Sequence, residues 1–263
     1  MKKRVLSCLM ALALCLTLLP TAALAEEADA APDGGDADSS GEMQLPGTHT
    51  AHCVCGKDSG TKVNGHTHST NTEWTATDDL PGTAGSYYLT QSVSSDWTVP
   101  TGEVNLCLNG QTISGSITVG SGASLTLTDC SDSSDSGRVQ GEVIVNGGKF
   151  ELYSGTITGG VQVGKKGADY QTGSSFTMYG GAITGNEDYG GVFLVGTTKH
   201  IAPPNFTMHG GTISDNTAGA SDGGGGGVYV GEKCSFTMDG GTITGNTATN
   251  GNGGGIYIHM LAN

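Results

Sequence analysis

Basic residues are scarce in this chain, which has 11 lysines and arginines against 25 aspartates and glutamates. Three of the basic residues, Lys2, Lys3 and Arg4, lie at the N-terminus, and without them the net charge falls from −14 to −17. A surface this acidic repels phosphate groups. We therefore expect no binding to nucleic acid or to anionic lipid, whereas divalent cations remain compatible with the charge.

Long apolar runs are absent after residue 25. The run at residues 5–19 follows the basic residues and precedes an A-x-A sequence at residues 23–25, a pattern typical of a secretory signal and its cleavage site. A retained membrane anchor is the alternative, but the run is short for one. We predict that residues 1–25 are a signal peptide, that the mature chain is secreted or lies at the cell surface, and that it is not inserted in a membrane.

Two further segments precede the repeats. Residues 26–48 are acidic and almost devoid of apolar side chains, so we expect a disordered linker there. Residues 49–84 contain histidine and cysteine in the spacing H-x-x-H-C-x-C and then H-x-H, and we interpret them as a small metal-binding or capping module. Zinc is held by sets of four such ligands. The alternatives are a solvated polar segment or disulfides formed after secretion. The candidate zinc ligands are His52, Cys53, Cys55, His66 and His68.

Glycine is abundant, with 46 residues, which suits a fold with many tight turns. The stretch F-T-M-x-G-G-x-I recurs three times at an offset of 30 residues, beginning at Phe176, Phe206 and Phe236. A fixed period of this length is typical of a solenoid, whose units bury their apolar faces against their neighbours. Apolar residues at relative positions 0, +2 and +7 trace the unit back to Leu106, and residues 87–99 are either an extra unit or a cap.

Each unit holds three short apolar segments with alternating polarity, separated by glycine-rich turns, which predicts three short strands in each coil. We therefore predict that residues 85–263 form an all-β solenoid, a parallel β-helix. Asn186, Asn216 and Asn246 recur at one place in the turn, and we expect a structural ladder of hydrogen bonds between their amides. The chain stops within a third strand without a capping sequence, so we expect a bacterial fragment truncated at its C-terminus.

The repeat F-T-M-x-G-G-x-I-[TS]-x-N, followed by G-G-[GV]-[VI]-[YF]-[VIL], resembles the right-handed parallel β-helix repeats of bacterial surface proteins. It is similar to the polymorphic outer-membrane-protein type within the wider pectate-lyase-like superfamily. The G-G-[AVI] element of that type begins at Gly190, Gly226 and Gly254, whereas its F-x-x-N element is not kept. The resemblance covers roughly residues 85–260 and implies a right-handed coil.

Two outward columns are candidate binding sites. One holds Tyr179, His209 and Asp239 at position +3 of successive units, and the other holds Phe193, Tyr229 and Tyr257 in the third strands. Aromatic columns on a rigid rod are suited to stacking on sugar rings or to packing on a partner protein. The alternative is a purely structural role, because cross-strand aromatic pairs stabilise sheets without a ligand.

An enzyme of the pectate-lyase-like kind needs acidic residues close together on one face, or a basic residue that acts as the base. The columns at positions +3 and +9 hold no pair of carboxylates, so we assign no catalytic residue. The best acidic grouping, Glu187 and Asp188 with Asp222, would bind calcium on acidic turns, and a solvated loop is the alternative.

These features favour an adhesin-like or display role for the chain. We expect its partner to be a polysaccharide or a host or bacterial surface protein. The first alternative is a carbohydrate-active enzyme, a polysaccharide lyase or glycoside hydrolase, with its site residues outside this fragment. The second is a spacer that carries another domain outward.

The cysteines after residue 25 number five, an odd count that excludes a scaffold built from disulfides alone. Cys107 points outward at position +1 of its unit, and Cys130 has a different offset in the next unit. A bridge between them would strain disulfide geometry unless the backbone shifts. We expect free or core-packed thiols at these two positions and at Cys234.

Overall fold

A computed structural model describes residues 62–63, 66–67, 74–131, 137–166, 173–196, 202–219, 224–249 and 251–259. The predicted signal peptide and linker lie outside these residues, as do the candidate ligands His52, Cys53, Cys55 and His68. His66 lies in a short antiparallel pair formed by β1 (Lys62–Val63) and β2 (His66–Thr67). The zinc site therefore stays a prediction. No described residue belongs to a helix that is long and apolar enough to cross a membrane.

The described residues from Thr75 onward are all-β, without a helix, and their strands form three long parallel sheets. Sheet 1 contains β3 (Thr75–Thr77), β4 (Gly85–Leu89), β6 (Gly102–Cys107), β9 (Ala123–Thr128), β12 (Lys149–Leu152), β15 (Ser175–Met178), β18 (Asn205–Met208) and β22 (Ser235–Met238). Sheet 2 contains β7 (Thr112–Ile113), β10 (Arg138–Val139), β13 (Thr156–Ile157), β16 (Ala182–Thr184), β19 (Thr212–Ser214) and β23 (Thr242–Thr244). Sheet 3 contains β5 (Trp97–Thr98), β8 (Ile117–Gly120), β11 (Val143–Asn146), β14 (Val161–Val163), β17 (Val192–Leu194), β21 (Val228–Val230) and β25 (Ile256–Ile258). A small parallel pair joins β20 (Thr217–Ala218) to β24 (Thr247–Ala248).

Neighbours in each sheet come from consecutive repeat units, so the arrangement is consistent with a β-solenoid. Equivalent residues face each other across the units: Phe176 pairs with Phe206, and Phe206 pairs with Phe236. The rings of these pairs stack with centroids 4.7 and 5.0 Å apart. Apolar residues of all three sheets meet in one core, as the alternation of side chains along a strand requires.

Residues 87–99 form an extra unit in register with the next one. Tyr87 pairs with Leu106, Val93 bridges to Ile113, and Trp97 pairs with Ile117. The first of the two alternatives for this stretch is therefore the observed one. Strand β3 extends sheet 1 one strand further, into the segment that precedes residue 85.

The paired glycines of the motif are explained by the close approach of neighbouring units. A Cβ on Gly210 would lie 2.5 Å from the carbonyl oxygen of Tyr179. Gly211 has a φ of 86°, and a Cβ there would lie 2.8 Å from the carbonyl oxygen of Gly181. Because a side chain fits at neither position, the turn between sheets 1 and 2 requires two glycines.

The three asparagines form hydrogen bonds along the stack. The Asn216 side chain is completely buried; its Nδ2 donates to the carbonyl of Ile183 (3.0 Å) and to Oδ1 of Asn246 (2.9 Å). Its Oδ1 accepts a hydrogen bond from the backbone N–H of Asn186 at 3.1 Å. In the next unit, Asn246 donates in the same way to the carbonyl of Ile213 at 2.9 Å. These amides therefore satisfy main-chain groups at the turn after sheet 2.

Replacement of Asn216 by alanine should destabilise the fold by about 2–3 kcal/mol, because it leaves a buried N–H and a buried carbonyl without their partners. Urea unfolding followed by circular dichroism measures this loss. The control is Asn252→Ala, at an exposed position. It should change the free energy of unfolding by less than about 0.5 kcal/mol. Equal effects of the two substitutions would contradict a structural role for the ladder.

Candidate binding surface

The first outward column lies directly after the strands of sheet 1. The rings of Tyr153 and Tyr179 stack with centroids 4.4 Å apart, and Tyr179 and His209 follow at 5.1 Å. Nδ1 of His209 lies 2.8 Å from Oδ1 of Asp239, within hydrogen-bonding distance. The structure thus brings together the candidates Tyr179, His209 and Asp239, one from each of three consecutive units. We call Tyr153, Tyr179, His209 and Asp239 the histidine column.

The second outward column lies on sheet 3 and consists of Phe193, Tyr229 and Tyr257, which we call the tyrosine column. Phe193 pairs with Tyr229, and Tyr229 pairs with Tyr257, in the register of β17, β21 and β25. The first two rings are nearly parallel, with an interplanar angle of 8° and centroids 4.5 Å apart. Tyr257 is tilted by 32° from Tyr229 at 5.6 Å.

Stacking along the columns limits the ring surface that a ligand can contact. Where parallel rings lie 4.4 to 5.1 Å apart, each covers a face of its neighbour. The ring residues of both columns are nevertheless at least partly exposed, and the stacking itself stabilises the sheet. The columns therefore suit hydrogen bonding through their edges better than stacking on a sugar between two rings.

A third group of side chains lies beside the tyrosine column. Nζ of Lys166, beyond the end of β14, lies 3.7 Å from the ring centroid of Tyr189 and 4.4 Å from that of Phe193. Tyr189 precedes β17 and meets Phe193 at an angle of 62°. Glu142, directly before β11, interacts electrostatically with Lys166 and with Asp188. We call these five residues the Lys166 cluster.

Burial shapes the electrostatics of this cluster. It raises the pKa of Glu142, because a half-buried carboxylate loses part of its hydration. The Lys166 ammonium opposes this rise and the Asp188 carboxylate adds to it. Glu142 therefore binds a proton more readily than an ordinary glutamate.

The sequence pattern identified Phe193 in a column and Asp188 in an acidic grouping, but not Lys166 or Glu142. Their positions in the sequence could have indicated them, since Glu142 and Lys166, like Tyr189, flank strands of sheet 3. Asp222, the third member of the predicted calcium grouping, lies outside the described residues. Within the described ranges, no three His, Cys, Asp or Glu side chains are grouped so that they could hold a metal ion.

Two cysteines lie under a tryptophan on the outer side of sheet 1. Cys107 points away from the main core, yet it is completely buried, because it packs with Trp74 and Cys130 in a separate apolar cluster. Cys107 and Cys234 carry free thiols. Burial raises the pKa of Cys234 to about 12, and a hydrogen bond with the backbone of Gly231 opposes this rise.

Comparison of the chain with protein-family models, curated proteins and solved structures gives no match. The chemistry that the surface can perform follows from its side chains. Phenolic hydroxyls, an ammonium and carboxylates donate and accept hydrogen bonds, and the exposed rings add apolar area. Such a set is suited to binding a polar ligand that also has apolar faces.

Cys234 should react slowly with iodoacetamide in the folded protein. At pH 8.5 an ordinary thiol is about half ionised, whereas a thiol with a pKa of about 12 is ionised to a roughly thousandfold smaller extent. Time-resolved alkylation read by peptide mass mapping gives the rate at this residue. The same protein in denaturant is the control and should react at the ordinary rate. Equal rates in both states would show that Cys234 is not shielded.

Proposed function

We propose that the three parallel sheets form a right-handed parallel β-helix with three strands in each coil, similar to the repeats of polymorphic outer-membrane proteins and of the pectate-lyase-like superfamily. The order of the strands supports this proposal, since each repeat unit adds one strand to each sheet. The hand is that of nearly all crossover connections between parallel strands.

We further propose that the protein is secreted and acts outside the cell or at its surface, in an adhesin-like or display role. Its partner is a polysaccharide or a host or bacterial surface protein. The observation that carries this proposal is the contrast between the two sides of the strands. Core positions repeat, as Phe176, Phe206 and Phe236 do, whereas the equivalent outward positions hold Tyr179, His209 and Asp239. A constant frame that presents different side chains at regular spacing is suited to recognition.

The second candidate is a carbohydrate-active enzyme of the pectate-lyase-like kind. The observation that favours it is that Glu142 lies close enough to Asp188 to interact with it electrostatically, because a glycosidase uses a pair of carboxyl groups. An assay for reducing ends and for unsaturated uronates distinguishes the two functions, since an adhesin binds the polysaccharide and leaves both at the background level.

Binding should depend on the tyrosine column. We expect the double variant Tyr229→Thr, Tyr257→Thr to bind its glycan or cell surface at least about tenfold more weakly, because threonine keeps a hydroxyl and a strand-forming side chain but removes the ring. A glycan array and binding to intact cells, both with the purified full chain, measure this change.

The matched control is the double variant Thr212→Ala, Thr242→Ala, which alters two outward positions of sheet 2 in the same region of the chain. It should bind within about twofold of the original protein. Failure of the unaltered chain to bind any glycan or cell surface would refute the proposed function. Equal losses in both double variants would refute the role of the tyrosine column.

A further inference from the structure

Tyr189 is oriented differently from the rings of the two columns. Its ring meets Phe193 edge-to-face at 6.3 Å and 62°, whereas Phe193 and Tyr229 are nearly parallel. With the Lys166 ammonium over it, 39% of the Tyr189 residue is still exposed. Because the Tyr189 ring meets Phe193 edge-to-face and not face to face, apolar ring surface remains available to a ligand at this position.

Polar groups of opposite charge lie beside this ring. The Lys166 ammonium donates hydrogen bonds, and the carboxylates of Glu142 and Asp188 accept them. The three residues come from different units, and they are brought to one place because β11, β14 and β17 are neighbours in sheet 3. A few convergent polar groups around an aromatic side chain are the usual composition of a small-ligand site.

A pyranose sugar has the chemistry that this arrangement fits. Its C–H face is apolar and packs against an aromatic ring, while its hydroxyls at the rim both donate and accept hydrogen bonds. Hydroxyls that donate to a carboxylate or accept from an ammonium form charge-assisted bonds, which are stronger than neutral ones. A half-buried acceptor such as Glu142 strengthens such a bond further, because water screens it less.

The charge of the cluster selects among sugars. The cluster holds two carboxylates and one ammonium, and the chain as a whole carries a net charge of −14. A uronate or another acidic sugar would be repelled both by the site and by the surface around it. A neutral sugar avoids this repulsion.

We propose that Glu142, Lys166, Asp188 and Tyr189 form a subsite for one neutral hexopyranose unit of a polysaccharide. The subsite rests on the proposed glycan-binding function and names its ligand class. Tyr189 supplies the apolar contact with the sugar. Lys166 orients the Tyr189 ring and donates a hydrogen bond to the sugar, and the two carboxylates accept hydrogen bonds from sugar hydroxyls. Tyr189 and the carboxylates are binding residues, whereas Lys166 both binds the sugar and positions the Tyr189 ring.

The test measures affinity of the purified full chain for soluble mannan, galactan and mixed-linkage glucan, with polygalacturonate as the acidic counterpart, by affinity electrophoresis and calorimetry. Tyr189→Ala should weaken binding to the preferred neutral polysaccharide about tenfold or more. Glu142→Gln keeps the shape of the side chain and should weaken it about threefold to tenfold. The matched control is Met238→Ala, because Met238 is 40% exposed but lies in β22 of sheet 1, outside both columns and the Lys166 cluster. It should bind within about twofold of the original protein.

The outcomes separate the subsite from the proposed function. If a neutral polysaccharide binds and Tyr189→Ala weakens binding no more than Met238→Ala, the subsite is refuted and glycan binding stands. If the chain binds cell-surface protein but no polysaccharide, the subsite is again refuted and the adhesin-like role stands. If polygalacturonate binds more tightly than every neutral polysaccharide, the proposed selection of a neutral sugar by charge is refuted. If nothing binds, the proposed function fails as well.

Discussion

The parallel pairing of equivalent residues in consecutive units is the constraint on which the rest of this structure depends. Phe176 faces Phe206 across the strands β15 and β18, and Ile183 faces Ile213 across β16 and β19. A slip of one residue would turn every core side chain of a strand toward solvent. Because all three strands of a unit are fixed in this way together, the register of one sheet also fixes that of the other two. At the turn after sheet 2, the buried Asn216 side chain forms hydrogen bonds with main-chain groups that the strand pairing does not satisfy.

The same register governs the outer surface. Side chains at equivalent outward positions lie one strand spacing apart, so aromatic residues that recur in successive units stack on one another. This explains why Tyr153, Tyr179 and His209 form a continuous column, and why Phe193 and Tyr229 are nearly parallel. Repetition thus gives stability and covers ring faces at once. A ligand that needs an open ring face must bind where the repetition is interrupted.

Much of the fold could be predicted from the sequence because the pattern that specifies it lies within each repeat unit. The 0, +2 and +7 spacing gives the core positions, the paired glycines mark the turn, and the offset between copies gives the register. The orientation of rings could not be predicted, since it depends on rotamers that neighbours select. The burial of Cys107 could not be predicted either, because Trp74, which packs on it, lies outside the repeat.

The Lys166 cluster could not be predicted for a related reason, and this reason bears on where function arises in such a chain. Its members come from three units whose turns differ in length, so no constant offset aligns Glu142 with Lys166 or Tyr189. Positions that repeat are constrained by the units above and below them, and a change at one of them disturbs the stack. Side chains in turns of unequal length have no equivalent to stack on, and they are free to combine a ring, an ammonium and carboxylates. In a stack of parallel repeat units of this kind, the residues that do not follow the repeat are therefore those best placed to form a specific site.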